Sequence, residues 1–161
     1  MGNAVTQKFD AAVSAVLASA GITDTLTTGG SVDTDALFDA AAVIRGNGEM
    51  GQLFAVLSPA AAAGLMKAIG SQAYAGSDLQ NTAMANSYVG SVAGIRVYQS
   101  ANVTTQDGCV FGTEAFRIAM FKNVDLEAQR RAAAVGTDIV ASLHAGVGLI
   151  DATRAVRLLT A

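Results

Sequence analysis

The spacing of apolar residues changes near residue 88, and this change constrains the fold more than any single motif does. Before it, apolar residues recur at helical spacing, as in residues 4–20. After it, apolar and polar residues nearly alternate, as in the segment VAGIRVY at residues 92–98, which is typical of a half-buried strand. A helical first half and a strand-rich second half predict an α+β fold, with helices over a mixed sheet.

The first half of the chain carries three predicted helices and one short buried strand. The helices are predicted at residues 4–20, 34–45 and 59–69, and the strand is the segment QLFAVLS. Asp33 and Ser58 are residue types that cap helix N-termini, and Pro59 suits a first helical position. We interpret GITDTLTTGGSVD as a loop, and residues 71–87 as a long polar loop with a helical turn near 79–84.

The second half carries only strand signals. Strands are predicted at Ile95–Gln99, Gly108–Gly112, 117–122 and 124–130, with a short turn at 113–116. The segments TDIVASLHAGVGLID and AVRLLTA are apolar enough to be further strands of a sheet. No repeat or domain linker interrupts the sequence, so we expect one domain or two small parts that share a core.

Composition argues against nucleic-acid binding, an internal disulfide, a secretory signal and a membrane span. The net charge of −3 and the short basic pair Arg130-Arg131 give no stripe of positive charge for nucleic acid. A single cysteine, Cys109, allows no internal disulfide, which suits a reducing compartment. We expect no secretory signal and no membrane span, because the longest uncharged run contains polar residues and Pro59. Only 14% of residues are charged, against roughly 25% in average domains, so neighbouring molecules are expected to cover part of the surface.

Few residues offer chemistry. One histidine, His144, and one cysteine cannot make a usual zinc site without several carboxylates. His144 is interpreted as a hydrogen-bonded sheet residue and Cys109 as a small buried side chain. Two alternatives stay open from the residues alone: a small cytoplasmic hydrolase using His144 with a serine, and a monomeric binding module with the 71–87 loop as its contact surface.

The order of the segments resembles the C-terminal half to two-thirds of tailed-phage major capsid proteins of the Hong Kong 97 type. FAVLSP between two helices is similar to that family's strand-to-helix junction. VAGIRVYQSANV resembles its strand leading to the loop near the capsomer axis, and FGTEAFRIAMFKNVDLE resembles a short turn and a strand that enters the peripheral domain. The resemblance covers about residues 5–160.

The resemblance implies a structural protein, not an enzyme, that binds no cofactor or metal. It implies an axial domain of residues 33–122, and a peripheral domain of residues 4–20 plus 123–161. Copies of the chain would assemble into pentamers and hexamers of a virion capsid, built in the host cytoplasm around DNA bound without sequence specificity. Scaffolding, protease, portal or decoration proteins would be further partners, and no membrane would be involved.

The resemblance also implies a subunit interface at the capsomer axis. The loop expected there contains Ser100, Asn102, Thr104, Thr105, Gln106 and Asp107. Its small residues and hydroxyl groups can approach copies of themselves closely, and Asp107 is its only charge. A strand without acids, histidines or thiols is expected if its role is to position such a loop.

The sequence departs from the family's pattern at its N-terminus. Family members ordinarily begin with an N-terminal arm, an extended hairpin called the E-loop and a long spine helix, whereas only the end of a spine-like helix is found here. A fragment and an unusually short relative are both compatible with this departure. Encapsulins, which build bacterial compartments, share the fold, so a compartment shell stays open beside a virus.

Overall fold

A computed structural model describes residues 2–18, 24–28, 31–71, 90–92, 94–103, 108–131 and 136–160. The helices are α1 (Gly2–Leu17), α2 (Thr34–Gly46) and α3 (Pro59–Ser71). The strands are β1 (Asp24–Thr28), β2 (Leu53–Leu57), β3 (Gly90–Val92), β4 (Ile95–Gln99), β5 (Gly108–Gly112), β6 (Phe116–Arg131), β7 (Gly136–Leu149) and β8 (Ala155–Thr160). A short 3-10 helix, Ala152–Arg154, precedes β8.

Six of the strands form one mixed sheet in the order β1-β8-β5-β2-β4-β3. The pairs β1–β8 and β2–β4 are parallel, and the remaining pairs are antiparallel. Strands β6 and β7 form a separate two-stranded antiparallel structure, called the ribbon below. Helices, a mixed sheet and an antiparallel ribbon confirm the predicted α+β class.

One face of the six-stranded sheet packs against α2 and α3. Alternate residues of β2 point to this face because side chains on a strand alternate between the two sides. Leu53, Ala55 and Leu57 are fully buried there. Leu37 of α2 and Leu65 of α3 close the cluster. This is the main hydrophobic core of the molecule.

The opposite face of the sheet is covered by the end of α1. Leu17 packs there with Cys109, Ala115 and Ala155. Phe111 lies at the edge of this second cluster, stacked on Phe54 with ring centroids 6.1 Å apart. The sheet is therefore covered on both sides around β5, which explains why the β5 segment reads as a continuous apolar run. Toward the β3 edge the second side is open, with Ser91, Arg96 and Tyr98 exposed.

The predicted helix starts are confirmed in atomic detail. The Asp33 carboxylate accepts a hydrogen bond from the Ala36 amide at 2.9 Å, which caps α2. The Ser58 hydroxyl accepts one from the Ala61 amide at 3.2 Å ahead of α3. Gly94 adopts φ +77° in the tight connection between β3 and β4, a conformation that favours glycine.

Strand β1 corrects the prediction of a loop over GITDTLTTGGSVD. Residues 24–28 pair in parallel with β8, more than 130 residues later in the chain. The segment is mostly Thr, which has good strand propensity but gives no apolar alternation to detect. The predicted helical turn at 79–84 lies outside the described residues, as does most of the 71–87 loop.

The C-terminal strand pairs within the six-stranded sheet. Strand β8 is hydrogen-bonded between β1 and β5, so residues 155–160 share a sheet with the strands of the predicted axial part. Apolar strand residues alone do not reveal the sheet in which they pair. The division into axial and peripheral domains stays a prediction.

The structure joins two predicted strands, 117–122 and 124–130, into the single long strand β6. The register of β6 against β7 shifts between Met120 and Lys122 and again between Lys122 and Asp125. The predicted break at Asn123 therefore falls within a β-bulge, where the ladder is interrupted although the strand continues.

Candidate assembly surface

The ribbon has one apolar face, set by the alternation of side chains along its strands. Residues paired across an antiparallel ladder point to the same side, so the register assigns both strands. Arg130 and Thr137 pair on this side at the far end of the ribbon. The apolar part of the face carries Phe116, Ile118, Met120, Leu126 and Ala128 on β6, and Ile139, Ala141, Leu143, Ala145, Val147 and Leu149 on β7. The name apolar face is used below for this set.

The other face of the ribbon is mostly polar. It carries Arg117, Lys122, Asp125, Glu127, Gln129, Arg131, Asp138, Ser142 and His144. Two ion pairs lie on it: Lys122 Nζ is 2.6 Å from Asp125 Oδ2, and Arg131 Nε is 3.1 Å from Asp138 Oδ2. Opposite charges balance along this face, so it offers no basic stripe for nucleic acid.

Helix α1 covers only part of the apolar face. An open groove of about 430 Å³ lies between them, lined by Val5, Lys8, Phe9, Ala12, Leu143 and Ala145. Farther from the sheet, Leu126 remains 64% exposed and Ile139 is also exposed. None of the residues described in β6 or β7 is buried. An apolar strip of this length is typical of a surface that another molecule covers.

Phe121 is the most exposed large apolar side chain of the ribbon, at 93%. It lies in the bulge between the pairs Met120–Ala145 and Lys122–His144. A bulge re-aims a side chain away from the regular ladder. Sequence reasoning missed this position, because the apolar run around Phe121 indicates a strand but not where the register slips.

The predicted axis loop is described only in its first part. Ser100 donates its amide to the Leu57 carbonyl at 3.0 Å, and its hydroxyl accepts from the Asn102 amide at 3.3 Å. The Asn102 side chain donates to the Asp10 carboxylate of α1. The structure thus ties the start of the loop to the sheet and to α1. Thr104, Thr105, Gln106 and Asp107 lie outside the described residues.

A cluster of charges lies where the ribbon joins the sheet. Arg154 Nη1 is 3.1 Å from Glu49 Oε2 and also pairs with Glu114, while Arg154 Nε is 3.0 Å from Asp151 Oδ2. Sequence reasoning missed this cluster, because Glu49 and Arg154 are 105 residues apart in the chain. No local spacing connects them.

Cys109 and His144, the two residues singled out for chemistry, differ in burial. Cys109 is buried, as expected, and burial raises the pKa of its thiol to about 12, although the charge of Arg157 opposes the shift. The thiol is therefore neutral at physiological pH. His144 lies in β7, paired with Lys122 of β6, so it is a sheet residue as expected, and its side chain is exposed.

In the described part of the chain, no group of three or more His, Cys, Asp or Glu side chains could hold a metal ion. No helix in the described ranges has the length and apolar character to cross a membrane.

The six-stranded sheet encloses the main apolar cluster, whereas the ribbon leaves much of its apolar face exposed. A family model described as phage capsid protein matches residues 1–158. The chain therefore belongs to the phage capsid protein family. This family and its fold indicate a structural, non-enzymatic protein.

Solved capsid structures have the same fold. The chain is similar to a protein of the cyanophage P-SCSP1u capsid, with a TM-score of 0.80 and 19% identity over 100% of this chain and 64% of that one. The likeness to a protein of Mycobacterium phage Che8 has a TM-score of 0.72 and 19% identity, over 98% of this chain and 60% of that one. The likeness to a virus-like particle from Pyrococcus furiosus has a TM-score of 0.69 and 14% identity, over 98% of this chain and 64% of that one.

These likenesses confirm the Hong Kong 97-like fold that the order of segments predicted. The chain spans 60–64% of the length of the three structures just named. No curated protein matches the sequence.

Proposed function

We propose that this chain is a structural subunit of a tailed-phage icosahedral capsid and assembles with its own copies into pentamers and hexamers that enclose the genome. Membership of the phage capsid family supports the class of protein. The observation that carries the assembly step is the open apolar face of the ribbon, with Leu126 and Ile139 exposed. Covering that face with a neighbouring subunit would remove apolar area from water and stabilise the contact.

The wider set of partners belongs to the same proposal. The chain would take its place in the virion capsid after assembly in the host cytoplasm, with scaffolding, protease, portal or decoration proteins assisting. It would enclose DNA without reading its sequence. The net charge is −3, and the two strands of the ribbon set three acids, Asp125, Glu127 and Asp138, against their four basic residues. The axial part would be residues 33–122 and the peripheral part residues 4–20 with 123–161, β8 excepted.

The assembly step is tested with a pair of matched variants. Leu126→Ser with Ile139→Ser removes two side chains of the apolar face, one from each strand, whereas Glu127→Ser with Gln129→Ser changes two exposed positions on the polar face of β6. Light scattering and electron microscopy of the purified chain are expected to show rings, sheets or shells for the unsubstituted chain and the polar-face variant. The apolar-face variant should remain folded by circular dichroism and fail to assemble.

A strictly monomeric chain at high concentration would contradict the proposal. Equal assembly of both variants would contradict the role of the apolar face while leaving self-assembly intact.

The loop at residues 100–107 is proposed as the contact at the capsomer axis. Support comes from the tight anchoring of its start, where Ser100 bonds to β2 and Asn102 to α1, so that the loop leaves the sheet in a defined direction. We expect Thr104→Glu with Thr105→Glu to leave the subunit folded and to weaken capsomers, because like charges crowd around a symmetry axis. The loss should be greater at low salt than at high salt, because salt screens the repulsion.

Capsomer formation by the Thr104→Glu and Thr105→Glu variant is measured by analytical ultracentrifugation at two salt concentrations. The matched control is Thr104→Gln with Thr105→Gln, which adds bulk without charge. Unchanged assembly of the glutamate variant at low salt would contradict the assignment of the capsomer-axis contact to this loop.

A compartment shell is the second candidate, because a virus-like particle whose source, Pyrococcus furiosus, is not a phage has a similar fold. The same fold would then enclose protein rather than DNA. The contents of purified particles separate the two functions: nuclease-protected DNA supports the capsid, and a stoichiometric cargo protein without nucleic acid supports the compartment.

A further inference from the structure

The ribbon joins the rest of the subunit through two short connections. One follows β5 and contains Glu114, and the other precedes β8 and contains Asp151 and Arg154. The ion pairs of Arg154 link these connections to each other and to Glu49, which lies in the segment between α2 and β2. Three carboxylates from three segments thus meet at one guanidinium, at the base of the ribbon.

Glu49 holds the cluster to the sheet. Its side chain is only 4% exposed, and its Oε1 accepts a hydrogen bond from the Gly51 amide at 2.8 Å. A Cβ atom added at Gly51 or at Gly112 would lie 2.6 Å from a carboxylate oxygen of Glu49. The carboxylate therefore fits against bare backbone at two glycines. A buried carboxylate needs a positive partner, and Arg154 supplies it.

The carboxylates of the two connections are held differently from Glu49. The Glu114 side chain is 59% exposed, and Asp151 is also open to water. Ion pairs in contact with solvent are individually weak. The cluster thus has one fixed contact on the sheet side and two adjustable contacts on the side of the ribbon.

Backbone hydrogen bonds hold the two connections side by side without help from the charges. The Ile150 and Asp151 amides both donate to the Ala115 carbonyl, at 2.8 and 3.3 Å. If the ion pairs were removed, these bonds would keep β6 and β7 together at their base. The direction of the ribbon would then be restrained only by its packing against α1 and the second cluster, and by the hydrogen bond from the Asn47 side chain to the Thr153 carbonyl.

We propose that the Arg154 cluster is a clamp that fixes the direction in which the ribbon leaves the six-stranded sheet. Arg154 acts as a positioning residue, since its effect on assembly would pass through the direction of the apolar face. The consequence for assembly rests on the proposed function: subunits whose ribbons point in different directions meet at different angles, so the clamp narrows the range of particle sizes.

Spin labels measure the direction of the ribbon directly. One label is placed on α2 by Asp39→Cys and one near the tip of the ribbon by Gln129→Cys, both at exposed positions. Buried Cys109, whose pKa is raised to about 12, should not react. Dilution with unlabelled chain restricts the measured distances, by pulsed electron spin resonance, to those within one subunit.

Two variants release the clamp in different ways. Glu114→Gln removes one adjustable contact, and Glu49→Gln with Arg154→Met removes all three ion pairs without leaving a buried charge unpaired. We expect the distance distribution to broaden about twofold in both, because the ribbon then populates several orientations. The matched control, Glu127→Gln on the polar face, should keep the narrow distribution.

Two results would overturn the clamp. One is a distribution that stays as narrow in both variants as in the control. The other is a broad distribution together with fast hydrogen exchange of the Ile150 and Asp151 amides, because the junction would then unfold locally and not pivot. In a second measurement, electron microscopy of assembled Glu114→Gln should show a wider spread of particle diameters. A chain that forms no particles would refute the proposed function, whereas the spin-label distances would still decide the clamp.

Discussion

The six-stranded sheet and the ribbon are built from similar apolar residues but differ in how far they bury them. In the sheet, Leu53 and its neighbours are fully buried between α2, α3 and α1. In the ribbon, α1 covers the base of the apolar face, while Leu126 and Ile139 remain exposed. Apolar area removed from water stabilises a fold, so the sheet completes its own core and the ribbon does not.

The contrast separates folding from assembly within one chain. An isolated two-stranded ribbon is marginally stable in water and gains stability from further strands or a packed helix. Here the ribbon depends on its junction with the sheet and on α1. The sheet region can therefore be tested through the stability of the single subunit, and the ribbon through what happens when subunits meet.

The largest expected effect comes from truncating the sheet core. Leu53→Ala should lower the free energy of unfolding by about 3 kcal/mol, because it removes buried methyl groups and leaves a cavity. The matched change in the ribbon, Leu126→Ala, should cost less than about 0.5 kcal/mol, as is usual at exposed positions. Urea unfolding of the unassembled subunit measures both.

Equal losses of unfolding free energy in Leu53→Ala and Leu126→Ala would contradict the contrast between the buried sheet and the exposed ribbon. The apolar face would then be covered within the subunit itself, and its role in assembly would have to be abandoned.

The single cysteine, which is buried, and the single histidine, which is exposed, give a second and smaller contrast. Cys109→Ser should destabilise the subunit by about 1–3 kcal/mol, because a hydroxyl replaces a thiol packed among Leu17, Ala115 and Ala155. His144→Gln should change stability by less than about 0.5 kcal/mol, since the imidazole is exposed.

Both variants should assemble like the unsubstituted chain, judged by thermal unfolding and electron microscopy. Loss of assembly in a normally folded His144→Gln variant would assign a specific task to the polar face.

The same contrast explains what the sequence could and could not predict. The helix caps Asp33 and Ser58 and the alternation in β2 are local signals, and local signals predicted those elements correctly. Strand β1 was missed because its partner β8 is distant and its threonines carry no apolar period. The predicted break at Asn123 fell on a bulge, because a slip of register looks like the end of a strand.

The candidate site was less predictable than the fold. The axis loop was assigned by resemblance, and only Ser100 and Asn102 of its six residues are described. The apolar face follows from alternation in β6 and β7 only once the register between them is known. The Arg154 cluster joins distant segments, so only the three-dimensional structure reveals it.

The smallest expected effect concerns the ion pair in the bulge of the ribbon. Hydrogen bonding to Lys122 lowers the pKa of Asp125, and the Asp125 carboxylate raises the pKa of Lys122. A lowered carboxyl pKa stabilises the folded state above the unfolded pKa of about 3.9, and this contribution is lost as the pH falls through the folded value. A raised lysine pKa stabilises below about 10.4, and that contribution is lost as the pH rises through the folded value.

The Lys122–Asp125 pair should therefore make its whole contribution to the stability of the folded subunit between about pH 4 and pH 10. That contribution should be small, because both side chains are close to half exposed. Carbon NMR titration of the Asp125 carboxyl group is the measurement, with Lys122→Met as the variant and Arg131→Met as the control elsewhere on the polar face. Lys122→Met should return the pKa of Asp125 toward its ordinary value, and about 0.5 M salt should do so in part. An unchanged titration in Lys122→Met would mean that the pair does not hold the bulge. In that case the interrupted ladder near Phe121 would be fixed by the backbone alone, and the ribbon would depend on its base and on α1 even more than the comparison with the sheet implies.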